Sequence, residues 1–201
     1  MEEMAARTVS GVILAAGSSQ RFGDSPPKQL ALIEDEPLVR RVARRALKTS
    51  FAEVIVVVGF QSTRVGAAVG DLPVAVVVNS EFAIGQSTSV LAGLGSVAAE
   101  SAAAMFIPVD QPDLTSAVMN ALITHYLESG ETIVVPSFRG KRGAPVLIDR
   151  SLFADLAVIE GDAGGRQLFE QLSDQVSEVP LASADPLRDV DRPEDLRRYR
   201  K

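Results

Sequence analysis

Two short runs, 54–58 (Val-Ile-Val-Val-Val) and 74–78 (Val-Ala-Val-Val-Val), constrain this chain most. Neither offers a polar face. A half-wet antiparallel strand alternates apolar and polar residues, so runs of this kind point to central parallel strands covered on both sides. A third run, 9–16, is small and apolar throughout and ends at Gly17, which reads as a buried strand entering a glycine turn. Further strands are expected at 105–109, 133–136 and 145–148, and one near Val176.

Helical spacing fills the gaps between these strands. In 37–50, Leu38, Val39, Val42, Ala43, Ala46 and Leu47 recur on one face, and Arg40, Arg41, Arg44, Arg45 and Lys48 occupy the other, which reads as a solvated surface. A short helix is expected at 61–69. A longer one at 87–99 would have Ser87 as N-cap and Val90, Leu91, Leu94 and Val97 inward. Residues 115–127 place Val118, Met119, Leu122, Ile123 and Tyr126 in one stripe. Arg139-Gly140-Lys141-Arg142-Gly143 reads as a turn, with shorter helices near Leu152 and Gln167 and a terminal helix from Pro193. Strands alternating with helices imply an α/β chain: a mostly parallel sheet with helices on both faces, in three layers. No repeat or low-complexity linker marks a boundary, so one domain over residues 1–201 is expected.

Composition narrows the chemistry. There is no cysteine and one histidine, His125, so thiolate nucleophiles, iron–sulfur clusters and zinc sites needing two histidines are excluded by count. His125 falls off the apolar stripe of its helix and reads as a surface residue. The net charge of −6 argues against a nucleic-acid partner. The acidic start Met1-Glu2-Glu3-Met4 is unlike a signal peptide, and no apolar run is long enough to span a bilayer; the expectation is a soluble, cytoplasmic protein without a membrane partner.

Ligands of such sheets bind beyond the carboxyl ends of the strands. There the chain carries Gly17-Ser18-Ser19-Gln20-Arg21-Phe22-Gly23, then Lys28; Asn79 to Ser89; and Asp110. The glycine loop has neither GxGxxG spacing nor the Lys-Ser/Thr of a P-loop, but it offers bare amides with two cations, Arg21 and Lys28, suited to a triphosphate. Asp110, directly after an apolar strand, is placed to hold Mg²⁺. Asp189-Val190-Asp191 supplies a second carboxylate pair, on one face if extended, or a turn ahead of the Pro193 helix.

Taken in order, these segments resemble the MobA-like NTP transferases, above all the molybdenum cofactor cytidylyltransferases (MocA-type). Leu14-Ala15-Ala16-Gly17-Ser18-Ser19-Gln20-Arg21-Phe22-Gly23 with Lys28 is similar to LAAGxSxRMG…K, and Gly85-Gln86-Ser87-Thr88-Ser89 to GQSxS. Asp110-Gln111-Pro112 is similar to GDQP and Gly143-Ala144-Pro145-Val146-Leu147 to GHPVLF. Gly161-Asp162-Ala163-Gly164-Gly165-Arg166 is similar to GDxGAR and Asp189-Val190-Asp191-Arg192-Pro193-Glu194-Asp195-Leu196 to DIDTPEDL. The resemblance implies a Rossmann-like nucleotidyltransferase fold and Mg²⁺-dependent transfer of CMP from CTP to the phosphate of molybdopterin, with release of pyrophosphate. It further implies catalytic roles for Arg21 and Lys28, and nucleotide contacts from Leu14, Ala15, Ala16, Gly17, Asn79, Gln86 and Ser87. Asp110 and Asp191 would be the metal ligands. Ala16, where guanylyl-transferring relatives have glycine, favours CTP over GTP.

Three departures from the family pattern stand out, of which the first keeps the carboxylate and the second bears on the acceptor. Val109 replaces the glycine before the metal aspartate, Ala144 replaces a histidine, and Pro26-Pro27-Lys28-Gln29 is similar to cytidylyltransferases acting on methylerythritol phosphate. Other readings stay open: a same-fold transferase using GTP or another NTP on a sugar or polyol phosphate, an NAD(P)-dependent oxidoreductase, and a carrier that docks to a molybdenum enzyme.

Overall fold

The computed structural model describes residues 7–18, 22, 26–157 and 175–199. Its main sheet has eight strands: β1 (Thr8–Ala15), β4 (Glu53–Val58), β5 (Ala75–Val78), β6 (Ser101–Pro108), β7 (Ile133–Phe138), β8 (Lys141–Arg142), β9 (Val146–Asp149) and β10 (Val176–Pro180). Two further strands, β2 (Leu32–Ile33) and β3 (Glu36–Pro37), form a small antiparallel hairpin. Across the main sheet the order is β10-β7-β9-β6-β1-β4-β5, with β8 attached to β7. All neighbours on the path run parallel except β9, which is antiparallel to both β6 and β7.

This order places the site. From β1 the chain winds outward through β4 to β5, then returns to lay β6 on the other side of β1. The switch point of the winding therefore lies between β1 and β6, where a crevice opens at the carboxyl ends of the strands. Register makes those ends coincide: Ala15 pairs with Val58, and Leu14 with Pro108.

Helices α1 (Leu38–Ala46), α2 (Ser62–Ala67), α3 (Gln86–Leu94), α4 (Ser116–Ser129) and α5 (Phe153–Ala157) cover the sheet. Because strand side chains alternate, Ile13, Val56, Val58, Met105 and Ile107 join a core with α1 and α4, whereas Val12, Ile55, Val57 and Phe106 join a second core with α3 and α5. Thr115 caps α4 by accepting from the Val118 amide, and Gly130, at φ 72°, ends it in the left-handed conformation. Gly93 lets α3 lie close on β1, since a Cβ there would stand 2.5 Å from Val12 Cγ1. No helix among the described residues is long and apolar enough to cross a membrane.

Several expectations are corrected. The 74–78 run is not central: β5 is an edge strand, with Val76 41% and Val78 63% exposed. The N-cap of α3 is Gly85, and Ser87 sits inside the first turn. The α1 cations are not a purely solvated face. Arg40 makes a bidentate pair with Asp71 at 2.5 and 2.8 Å, and Arg45 is half-buried with its guanidinium donating to the carbonyl oxygens of Pro112 and Leu114. His125 is half-buried, its Nε2 2.7 Å from the Ser177 hydroxyl on β10. The terminal segment Pro193–Tyr199 is a 3₁₀ helix. The helix expected near Gln167 lies outside the described residues.

Candidate active site

The crevice at the switch point is a cleft of about 490 Å³. Its floor is backbone from the end of β1: Leu14, Ala16, Gly17 and Ser18 line it, and a Cβ built on Gly17 would meet nothing within 4 Å. Ligand oxygens can therefore approach the main chain here without displacing a side chain. Gln29 braces the turn by donating from Nε2 to the Gly17 carbonyl at 2.7 Å. At Gly59 a Cβ would come within 2.6 Å of Phe82 Cβ and 2.8 Å of the Ala16 carbonyl, so glycine lets the 79–89 loop close against the turn.

One wall carries charge. Lys28 opens a 3₁₀ turn, Lys28–Leu30, after Pro27, and its ammonium donates to Asp110 Oδ2 at 2.8 Å while standing 3.5 Å from Asp191 Oδ1. Asp110 stands two residues beyond the end of β6, after Val109. The Asp189–Asp191 segment is held beside it by the Val190 amide, which donates to the Asp110 carbonyl at 2.8 Å, and by Val190 itself, fully buried with Ala31, Ile33 and Leu38. The Asp195 carboxylate accepts from the Asp191 and Arg192 amides, both at 2.9 Å, so the segment is at once a carboxylate carrier and the entry to the 3₁₀ helix. Partial desolvation, then the charges of Asp110 and Asp191, push the Asp189 carboxyl above the usual carboxylate range, against a bond from Gln111 Nε2.

Behind this wall α1 holds the Asp110 loop. Arg45 and Arg41 both donate to the Pro112 carbonyl, Arg45 also to Leu114, and Tyr199 donates to Asp113 at 2.5 Å. Burial and the neighbouring Arg41 charge lower the Arg45 pKa from its ordinary value. The opposite wall is Phe82, Ala83, Gly85, Gln86 and Ser89.

The structure thus brings Leu14, Ala16, Gly17, Lys28, Gln86 and Asp110 to one cleft, with Asp191 joined through Lys28. Ala15 points into the core. Asn79 is 5% exposed and lies behind the loop: its amide donates to the Thr88 and Ser89 hydroxyls and its carbonyl accepts from the Glu81 amide, so it shapes the wall from within. Ser87 is buried away from the cleft, and Ser89 occupies the wall in the place expected for it. Ser89 stands three residues after Gln86, a helical spacing that signals a shared face. Arg21 and the 161–166 motif lie outside the described residues.

Comparison with known proteins agrees with this geometry. The family model for the MobA-like NTP transferase domain matches residues 11–176. The chain is 30% identical, over 94% of its length and 95% of the relative's, to nicotine blue oxidoreductase of Paenarthrobacter nicotinovorans. It superposes on the crystal structure of Rv0371c from Mycobacterium tuberculosis H37Rv with a TM-score of 0.85, 29% identity and 98% coverage of each chain. A structure of Rv0371c in complex with manganese superposes with a TM-score of 0.81 at 26% identity, covering 96% of this chain and 97% of that one. On the matched residues 11–176 and the α/β nucleotidyltransferase fold around the cleft, the chain belongs to the MobA-like NTP transferase family.

Proposed function

We propose that this nucleotidyltransferase transfers CMP from CTP to a phosphorylated acceptor, molybdopterin, and releases pyrophosphate. The observation that carries the reading is the position of Lys28, between Asp110 and Asp191 on the wall of a cleft floored by bare backbone. The main chain of Leu14, Ala16 and Gly17 would hold the triphosphate and sugar, with Gln86 and Ser89 opposite. An oxygen of the acceptor phosphate attacks the α-phosphorus in line; the bond to the β-phosphate oxygen breaks, and pyrophosphate leaves. The nucleophile is already ionised, so no general base is needed. Lys28, with Arg21 as a second cation, would bind the charge that builds on the leaving group. The choice of CTP and of molybdopterin rests on Ala16 and on the motif resemblance.

The donor set fits a small, hard divalent cation such as Mg²⁺. Such an ion is held by one or two carboxylates plus substrate phosphates, and Asp110 and Asp191 supply two. No group of three or more metal-binding side chains is gathered among the described residues. Bound there, the cation would neutralise phosphate charge and hold the triphosphate in line. The manganese complex of Rv0371c supports a divalent requirement.

A second reading, an NAD(P)-dependent oxidoreductase, is favoured by the name of the 30% identical relative. A dinucleotide pyrophosphate ordinarily sits on a glycine turn that opens directly into an α-helix. Among the described residues the first α-helix after β1 begins only at Leu38. One assay separates the two. Purified protein is offered each NTP with molybdopterin and Mg²⁺ or Mn²⁺, and in parallel NADH or NADPH with nicotine blue. Pyrophosphate release matched to acceptor consumption, fastest with CTP, is expected. Oxidation of the nicotinamide with no pyrophosphate from any NTP would overturn the proposal.

A further inference from the structure

Lys28 is placed for more than contact with a substrate. Its ammonium lies 2.8 Å from Asp110 Oδ2 and 3.5 Å from Asp191 Oδ1, so a cation already stands between the two carboxylates expected to bind the metal. The Lys28 side chain is only 14% exposed and that of Asp110 24%, so solvent and salt screen this pair less than a surface pair. A divalent ion entering the same carboxylates would lie within a few ångströms of a like charge, and like charges at that range repel strongly in a partly desolvated site. Lys28 lines the same cleft as Gly17 and Ser18, and its charge sits on a flexible four-carbon arm.

We infer that Lys28 is the resident counter-ion of the Asp110–Asp191 pair and makes divalent-metal binding conditional on nucleotide. This rests on the nucleotidyltransferase reading of the cleft. Without nucleotide the ammonium occupies the carboxylates and keeps metal affinity low. A triphosphate, with its denser negative charge, draws the ammonium onto its own oxygens, and the cation that travels with it takes the ammonium's place beside Asp110 and Asp191. Metal and nucleotide then each tighten the other by the same factor, as linkage requires. The carboxylates are thereby kept from holding a divalent ion when there is no phosphate for it to bridge.

The test is Mn²⁺ binding by the full chain without nucleotide, read from the electron paramagnetic resonance signal of free Mn²⁺. Lys28→Met and Lys28→Gln should both bind Mn²⁺ at least tenfold more tightly than the unaltered protein. Lys48→Met removes the same charge from the exposed turn after α1 and should leave binding within twofold. Adding Asp110→Asn to Lys28→Met should abolish the gain. With a non-hydrolysable CTP analogue, the unaltered protein should gain Mn²⁺ affinity by about 5- to 150-fold, the usual range of such coupling, and Lys28→Met should gain much less. Equal Mn²⁺ affinity in the unaltered protein and both Lys28 variants would overturn the inference, as would a gain that survives Asp110→Asn. The nucleotide-free arms bear on Lys28 alone. If they succeed while no nucleoside triphosphate analogue alters Mn²⁺ binding, the counter-ion role stands, and the nucleotidyltransferase reading with its conditional step fails.

Discussion

The amide of Val190 donates to the carbonyl oxygen of Asp110 at 2.8 Å, and this bond joins the C-terminal segment to the end of β6. Val190 is fully buried in a small cluster of its own with Ala31, Ile33 and Leu38, so its isopropyl group anchors the carboxylates on either side of it. Val190→Ala removes two methyl groups from that anchor. It should cost about 2 kcal/mol of stability and raise the KM for the divalent cation severalfold. Val56→Ala, in the main core, should cost a similar amount without moving that KM. Urea unfolding and metal titration of activity check both.

Arg45 is the next support of the same loop. Arg45→Met leaves the Leu114 carbonyl without its half-buried donor and the Pro112 carbonyl with Arg41 alone. A loss of about 2 kcal/mol is expected, in the range for hydrogen bonds to a charged group, together with a lower kcat at saturating nucleoside triphosphate. Arg45→Lys should recover only part of it, because one ammonium cannot reproduce the spread of a guanidinium over two carbonyls. Denaturant midpoints and kcat of the two variants measure this.

Two glycines separate stability from ligand binding. Gly93→Ala forces a Cβ to within 2.5 Å of Val12 Cγ1 between α3 and β1, and should destabilise by roughly 1–3 kcal/mol while leaving the nucleotide KM in place. Gly59→Ala strikes Phe82 and the Ala16 carbonyl, both at the cleft, and should raise the nucleotide KM at least tenfold for a comparable loss of stability. Thermal melts beside steady-state kinetics distinguish them.

Alkaline pH should weaken the fold through two tyrosines. Burial, then the bond to Asp149, raises the Tyr126 pKa; burial, then the bond to Asp113, pushes Tyr199 up to about 12. Both folded values lie above the ordinary tyrosine value near 10. Their stabilisation is therefore fully present below about pH 10 and is lost as pH rises through the folded values. Urea midpoints from pH 8 to 11.5 should fall steeply above 10, and Tyr126→Phe with Tyr199→Phe should flatten that fall.

What could be read from the chain was local. The apolar run into Gly17, the stripe of α4 and the carboxylate after β6 depend on neighbours in sequence, and each fell where periodicity placed it. What escaped depends on where strands lie in the sheet and on how far long side chains reach. Residues 54–58 and 74–78 have nearly the same composition, yet one is central and the other an edge, because strand order is decided by the crossovers and not by the run itself. Arg45 looked solvated because its helical position faces away from the apolar stripe, but its guanidinium reaches past that face to a loop 69 residues away in sequence. Lys28 and Asp110 read in the sequence as separate ligands of substrate and metal; 82 residues apart, they give no local sign of binding each other.

The reversed strand β9 has a consequence for how such a site can diversify. Running against β6, with Val146 opposite Phe106 near the ligand end and Asp149 opposite Ala103 at the far end, it brings its incoming loop, residues 143–145, to the edge that carries Asp110. A parallel strand would have sent that loop to the remote edge and needed another crossover helix to come back. The sheet thus carries one replaceable loop on its working rim, outside the parallel half that holds Leu14, Gly17 and Lys28. A loop on that rim can change in sequence with little disturbance to the parallel scaffold, because it enters β9 from outside the paired strands β1, β4 and β6.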